Sequence, residues 1–158
     1  MRAIKSNSQR YSTLDEIVLL AKLHDTGKIA IDKNILMKPG KLSNDEWDEI
    51  KKHPEIGYRI VKSIDELSHI AEGILAHHEY WNGKGYPKGL KEDAIPISAR
   101  IVSLIDAYDV MTHERPYKKA MSREEAIKEI KNCSGTQFDP EIVEIFTNIM
   151  ALSHIVWI

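Results

Sequence analysis

Six residues of metal-binding types stand where helical spacing would place apolar side chains. They form two adjacent pairs and two single positions: His24 with Asp25, His77 with His78, His53, and Asp106. A carboxylate on an apolar helix face is costly unless it is paired or bound to a cation. A lone histidine there is more often a satisfied core residue than a ligand. Taken together, histidines and aspartates from several helices are the mixture that borderline transition metals prefer, and helical bundles commonly build dinuclear sites from them.

The spacing around the first pair also indicates how such a site would work. Adjacent residues leave a helix about 100° apart, so one pair can serve two ions. The two oxygens of Asp25 make it the candidate bridge between ions. Lys28 follows three residues later, where helical geometry directs its ammonium to the same place, although Gly27 is predicted to end the helix. The alternative for Lys28 is a solvated lysine at a helix end.

A glycine-rich loop follows the second histidine pair in the segment HHEYWNGKGYPKGL, residues 77–90. Its glycines permit sharp turns that expose backbone N–H groups. Tyr86 offers a flat ring and a hydroxyl to a ligand. Plain turn chemistry is the alternative explanation for this composition. The loop is therefore a candidate ligand-binding segment beside the predicted metal site.

The elements that must position these residues are predicted to be helices. Helix starts are marked by capping signals, which occur at Thr13 with Glu16, Ser43 with Glu46, Ser122 with Glu125, and Asp139 with Pro140. Apolar residues repeat at helical spacing between these marks, and strand-like alternation is nowhere sustained. The sequence predicts an all-α bundle of about six or seven helices. We expect a frayed N-terminal segment over residues 1–11, one domain over 12–150 and a C-terminal extension over 151–158.

The overall composition narrows the function further. The 158 residues are 42% hydrophobic and 29% charged, which is ordinary for one globular domain. A net charge of −2 gives no support to binding a nucleic-acid polymer or a membrane surface. The single cysteine, Cys133, cannot form an intramolecular disulfide. With no signal-peptide pattern and no apolar run of roughly 18 residues, a cytoplasmic location is expected.

An ordered set of sequence blocks resembles the HD-GYP family, a branch of the HD metal-dependent phosphohydrolase superfamily. The blocks are LHDTGKIAI (23–31), KPGKLSNDEW (38–47), KKHPEIG (51–57), HHEYWNGKGYPKGL (77–90), ARIVSLIDAYDVMTHERPYKKAMS (99–122) and GTQFDPEIV (135–143). The resemblance implies an all-α HD-domain bundle with a buried dinuclear or trinuclear metal centre. It also implies hydrolysis of cyclic di-GMP, or of a related cyclic dinucleotide, to pGpG and GMP. The implied cofactors are two divalent transition-metal ions, with iron or manganese preferred and zinc, nickel or cobalt as alternatives.

The resemblance assigns roles position by position. The family's metal ligands match His24, Asp25, His53, His77, His78 and Asp106. Lys28 matches the lysine of the HD-x-GK block, near the attacked phosphate, and together with Asp25 is the predicted catalytic pair. The implied substrate-binding residues are Gly85, Tyr86 and Pro87 of the GYP triplet, and the polar residues Asp109, Arg115 and Lys118.

The sequence departs from the family before the first ligand pair. Family members usually carry another helix there, which supplies a further histidine and, in trinuclear members, a glutamate. None of residues 1–23 is a histidine. We therefore expect a centre short of one ligand, weak activity of the isolated chain, and a homodimer or partner domain covering the missing helix. Two alternatives remain open: another HD-superfamily nucleotide hydrolase, or a degenerate, non-catalytic module that binds a cyclic dinucleotide or a partner protein.

Overall fold

The computed structural model of the protein describes residues 13–114 and 119–152, and these residues are mostly helical. In chain order the α-helices are α1 (Thr13–Leu23), α2 (Lys33–Leu36), α3 (Asn44–Ile50), α4 (His53–Lys62), α5 (Ala71–Ala76), α6 (Ile97–Thr112), α7 (Arg123–Asn132) and α8 (Pro140–Leu152). Short 3-10 helices at Thr26–Ala30, Ser68–Ile70 and Glu92–Ala94 lie between them. The described residues contain no strand, only an isolated bridge between Ser134 and Phe138. The all-α prediction is confirmed.

Local capping signals set several of the helix starts. Ser43 and Glu46 form both hydrogen bonds of a capping box at α3, and Ser122 forms them with Glu125 at α7. At α8, Asp139 accepts a hydrogen bond from the N–H of Glu141 at 2.9 Å. These three predictions are confirmed. The start at Thr13 borders residues outside the described part of the chain and stays a prediction.

Two apolar clusters hold the helices together. The first joins α1, α4, α5 and α6 and is built from Leu20, Val61, Ile70, Ala71, Ile74 and Val102, none more than 2% exposed. The second joins α6, α7 and α8 through Leu104, Ile130, Phe138 and Val143. The first cluster contains or adjoins every helix that carries a predicted metal ligand, so it sets the spacing of those ligands.

Gly27 lets two ligand-bearing segments approach each other closely. A Cβ at this position would lie 1.9 Å from the carbonyl oxygen of His53 and 2.6 Å from the nitrogen of Gly57. Both are backbone atoms, so a side chain here would push α4 away from the Thr26–Ala30 helix. The prediction that Gly27 ends the first helix is wrong, because α1 already ends at Leu23. Its role is close approach between backbones.

One cavity lies away from the predicted ligands. A cavity of about 430 Å³ between α6 and α8 is lined largely by isoleucines, including Ile97, Ile145 and Ile149, and touches none of the six predicted ligands.

Among the helices within residues 13–114 and 119–152, none combines the length and apolarity that crossing a membrane requires.

Candidate metal centre

Four of the six predicted ligands converge on one point. One ligand atom from each of Asp25, His53, His77 and His78 lies within 4.8 Å of the other three. His24 lies alongside, with its Nε2 atom 3.5 Å from Asp25 Oδ2 and 3.8 Å from Asp106 Oδ1. The other oxygen of Asp25, Oδ1, is 3.4 Å from His53 Nε2. The carboxylate of Asp25 therefore lies between two groups of predicted ligands, which is the geometry that a bridging residue needs.

The second histidine pair lies where α5 ends. The helix stops at Ala76, and His77 is its C-terminal capping residue. The rings of His77 and His78 have centroids 4.1 Å apart, and both belong to the four-residue group. How the pair divides between two ions stays a prediction.

Hydrogen bonds to the backbone fix the tautomers of three histidines. The Nδ1 atoms of His24, His53 and His77 lie 2.8, 2.8 and 2.5 Å from the carbonyl oxygens of Ala21, Ile50 and Ile74. A carbonyl oxygen only accepts, so each Nδ1 carries the proton and donates it. In the neutral form of such a ring, Nε2 then presents its lone pair. This second-sphere arrangement is typical of metal-binding histidines.

Two of these lone pairs face each other. The Nε2 atoms of His53 and His77 are 3.2 Å apart, and both side chains are buried. Burial lowers the pKa of His53 and lowers the pKa of His77 to about 2, so at neutral pH no proton lies between the two nitrogens. Nearby, Asp25 Oδ1 is shielded from solvent and has no hydrogen-bond partner among the described residues. The two Nε2 atoms and Asp25 Oδ1 are thus three acceptors without a donor among them. A bound transition-metal cation would satisfy all three atoms, so the arrangement fits a metal site.

The ionisation states at the centre also suit a cation. Burial by itself would raise the pKa of Asp25, but a hydrogen bond from Lys28 and the charges of Lys28, His24 and His53 outweigh it, so the pKa is lowered. Lys28 Nζ donates to Asp25 Oδ2 at 2.6 Å. Burial, followed by the charge of His53, lowers the pKa of His78 to about 3. Neutral imidazoles and an ionised carboxylate are the forms that metals bind.

The glycine-rich loop packs against one predicted ligand, His78. The Tyr86 ring stacks on His78 with centroids 4.8 Å apart and an interplanar angle of 25°. A Cβ at Gly85 would lie 2.3 Å from the nitrogen of Tyr80 and 2.5 Å from the carbonyl oxygen of His78, so the loop needs glycine there. The Tyr86–Pro87 peptide bond is cis. Burial raises the pKa of the Tyr86 hydroxyl, which keeps its proton. The GYP triplet therefore lies against the predicted centre.

Glu79, which was not among the residues predicted from the sequence, anchors this loop. Its carboxylate is 3% exposed and accepts hydrogen bonds from the backbone N–H groups of Lys88 at 2.7 Å and Leu90 at 3.0 Å. A carboxylate directly after two predicted ligands, of which His77 is buried, is a signal, because a carboxylate in such surroundings must find hydrogen-bond donors. The donors it uses are nine and eleven residues further along the chain, however, and only the folded loop brings them back.

The remaining substrate-binding candidates lie on another side or outside the described residues. Asp109 lines a cavity of about 200 Å³ with His24 and Asp106. Its carboxylate is 3.1 Å from the Nδ1 atom of His113, which is an exposed contact. Arg115 and Lys118 lie outside the described residues, as do positions 1–12 and 153–158.

Comparison with known proteins places this geometry in a family. The HD domain family matches residues 8–142 of the chain. A Thermotoga maritima protein named cyclic di-GMP phosphodiesterase is 47% identical over 136 residues, which cover 85% of this chain and 37% of that protein. The 3'3'-cGAMP-specific phosphodiesterase 2 of Vibrio cholerae is 42% identical over 136 residues, which cover 85% of this chain and 26% of that protein. The chain thus spans well under half the length of these relatives.

Solved structures give the same result. An HD-GYP protein from Bdellovibrio bacteriovorus matches with a TM-score of 0.67 and 25% identity, over 87% of this chain and 44% of that one. A cyclic GMP-AMP-specific phosphodiesterase of Vibrio cholerae matches with a TM-score of 0.57 and 29% identity, over 89% of this chain and 33% of that one. The chain belongs to the HD domain family, in its HD-GYP branch.

Proposed function

We propose that this domain is a metal-dependent phosphodiesterase that hydrolyses cyclic di-GMP, or a related cyclic dinucleotide, to pGpG and GMP. The names of its relatives support the substrate class. The observation that carries the proposal is the facing pair of Nε2 lone pairs, His53 and His77, 3.2 Å apart beside the unpartnered Oδ1 of Asp25. Such a set is unfavourable in empty protein and favourable around a cation.

Two divalent ions, iron or manganese, are the proposed cofactors. His53, His77, His78 and Asp25 would hold one ion. His24, Asp106 and the other oxygen of Asp25 would hold the second. Mixed imidazole and carboxylate ligands suit both metals, with zinc, nickel and cobalt as alternatives. When bound, such ions supply Lewis acidity towards the phosphodiester and an acidified water as nucleophile.

The chain's own residues would orient and neutralise the substrate. Lys28 places its ammonium 2.6 Å from Asp25 Oδ2, where it would stabilise negative charge on the phosphate or donate a proton to the leaving oxygen. Tyr86 keeps its hydroxyl proton and offers it as a hydrogen-bond donor from the stacked position on His78. Arg115 is proposed for bidentate phosphate contact, with Lys118 as a point charge and Asp109 as a polar contact.

Product analysis tests this proposal. The purified protein, loaded with manganese or iron, should convert cyclic di-GMP to pGpG and GMP, and Asp25→Ala should abolish conversion because it removes the bridge. Asp65→Ala is the matched control, since Asp65 is exposed and remote from the ligands in sequence. Retained turnover in Asp25→Ala at saturating metal would refute the bridging role.

The same experiment separates the alternatives. Binding of cyclic di-GMP without turnover in metal-loaded protein would identify a non-catalytic receptor module. Turnover of other nucleotides in preference to cyclic dinucleotides would identify a different HD-superfamily hydrolase. Conversion of cyclic di-GMP with release of pGpG supports the proposed phosphodiesterase.

We also propose that one face of α1 binds a second copy of the chain or a partner domain. Leu14 and Val18 are one turn apart, 68% and 45% exposed, and Ile105 of the neighbouring α6 is 45% exposed. Apolar side chains grouped on a surface favour association. The face lies near His24 and Asp106, because Ile105 lines a cavity with both.

A further inference from the structure

A cavity of about 230 Å³ opens beside the metal centre and contains residues that the catalytic proposal does not use. Three of its lining residues, His77, His78 and Asp106, are proposed ligands. The others supply aromatic rings, an apolar floor and polar groups, namely Trp47, Tyr80, Tyr86, Ala107, Val110, Ser103 and Gln137. Pockets for whole drug-sized ligands measure about 300–1,000 Å³. The smaller volume fits one part of a dinucleotide whose phosphate lies at the ligands.

The polar groups of this cavity have unused hydrogen-bonding capacity. Within the described residues, the side chains of Trp47, Tyr80, Ser103 and Gln137 form no hydrogen bond to protein. Polar side chains normally find partners in the protein or in water. Several groups that face one aromatic-lined cavity without protein partners are therefore free to bind a ligand that has both a flat ring and a polar edge.

Backbone contacts hold Gln137 at the cavity. The N–H of Trp81 donates to the carbonyl oxygen of Gln137 at 3.1 Å, and the N–H of Asn82 donates to that of Thr136 at 3.0 Å. The N–H of Gln137 itself donates to the carbonyl oxygen of Cys133 at 3.0 Å. The next residue, Phe138, is buried in the second apolar cluster. The position of Gln137 is thus fixed by both its neighbours and the glycine-rich loop, while its carboxamide stays unpaired.

We propose that this cavity binds one purine base of the cyclic dinucleotide, with Trp47 as a stacking surface and Gln137 as the residue that reads the base edge. This inference rests on the proposed phosphodiesterase function. A carboxamide presents a donor and an acceptor side by side. Guanine offers O6 as acceptor and N1–H as donor, and adenine offers N1 as acceptor and the N6 amine as donor. Rotation of the amide by a half-turn matches either base, so the wild-type site accepts both purines.

Two substitutions distinguish stacking from edge reading. Trp47→Ala removes a ring on which any base can stack, so kcat/KM should fall about tenfold or more for every cyclic dinucleotide. Gln137→Glu replaces the donor with a second acceptor. The carboxylate cannot donate to O6 of guanine, but it can accept from N1–H and, after a shift along the base edge, from the N2 amine. Against adenine it faces the N1 acceptor. The preference for guanine should therefore rise about tenfold or more, as expected for one bidentate base contact.

The test uses cyclic di-GMP and cyclic di-AMP, whose two bases are identical, so the orientation of the bound ligand does not matter. The ratio of kcat/KM values for the two probes is measured in manganese-loaded wild type, Gln137→Glu and Trp47→Ala. Asn148→Asp, an exposed amide-to-acid change on α8 that lines none of the cavities described above, controls for added charge. Dissociation constants of the two cyclic dinucleotides, measured with the metal-free protein, provide a readout that does not depend on turnover. Thermal melts confirm that each variant is folded.

The expected result is turnover of both probes by wild type, a raised guanine preference in Gln137→Glu, and an even loss in Trp47→Ala. An unchanged ratio in Gln137→Glu, or an equal change in Asn148→Asp, overturns the edge-reading assignment and leaves the phosphodiesterase proposal standing. The edge-reading assignment is also overturned if the wild-type protein turns over cyclic di-GMP but not cyclic di-AMP. An unchanged kcat/KM in folded Trp47→Ala overturns the stacking assignment. Turnover of neither probe by wild type refutes the proposed function itself, and the base site with it.

Discussion

Acidification should destabilise the metal-free protein at pH values where its carboxylates are still ionised. In this pH range its buried histidines stay neutral in the folded state, whereas the same histidines are protonated in the unfolded chain. Burial lowers the pKa of His77 to about 2 and, with the charge of His53, that of His78 to about 3. In the unfolded chain histidine titrates near 6.5. Between these values the unfolded chain binds more protons than the folded one, so the free energy of unfolding falls as the pH falls.

The size of the effect follows from His77 alone, which is 2% exposed. Each such histidine changes the free energy of unfolding by about 1.4 kcal/mol per pH unit below its unfolded pKa. Acidification from about pH 6.5 to about pH 4.5 then costs roughly 2 kcal/mol for this residue. The lowered pKa of Asp25 contributes in a different window, because its stabilisation is lost only as the pH falls below about 4.

Urea denaturation of chelator-treated protein at several pH values measures this dependence. His77→Asn should reduce the slope between about pH 6 and about pH 4.5 by about 1.4 kcal/mol per pH unit, whatever its effect on stability at neutral pH. His113→Asn is the matched control, because the side chain of His113 is 71% exposed and lies outside the centre. Equal slopes in wild type and His77→Asn would refute the assignment of a neutral, desolvated imidazole at this position.

Three further changes test other parts of the structure. Gly27→Ala should destabilise the protein by about 3 kcal/mol or more in thermal or urea unfolding, because the added Cβ would overlap the carbonyl of His53. The same substitution should lower the metal affinity measured by calorimetry. Glu79→Gln should lower stability by about 1 kcal/mol and reduce turnover, since it replaces charge-assisted bonds that hold the glycine-rich loop; an unchanged melting temperature would contradict this. Replacement of Leu14 and Val18 together by glutamate should weaken self-association in light scattering, and a monomeric wild type that binds no partner domain would contradict the proposed interface.

The features that could be predicted from the sequence depend on residues close together along the chain. The capping boxes at Ser43 and Ser122 need only side chains three residues apart, so local sequence determines them. Polar residues at apolar helical positions predicted side chains that the structure brings together, because burial of His53 or His77 without a partner would be unfavourable. The signal is strong since several such residues occur together.

The features that were missed depend on contacts between distant segments. Gly27 resembles a helix terminator, and only the packing of α4 shows that its missing side chain is needed for backbone contact. Glu79 carries no sign of the loop donors that it binds. Gln137 lies far along the chain from the histidines and reaches the same cavity only because the Cys133–Phe138 turn docks on the glycine-rich loop. Such contacts are set by tertiary packing, which local patterns do not encode.

The proposed two-metal centre is tested most directly by locating bound metal ions in a crystal. Crystals grown without chelator in the presence of manganese or iron would be measured at the absorption edge of each metal, which places the ions independently of any assumed chemistry. We expect one anomalous peak among the side chains of Asp25, His53, His77 and His78, a second near His24 and Asp106, and loss of both peaks in Asp25→Ala. A well-ordered structure with no peak among these side chains, or with metal bound only elsewhere, would contradict it.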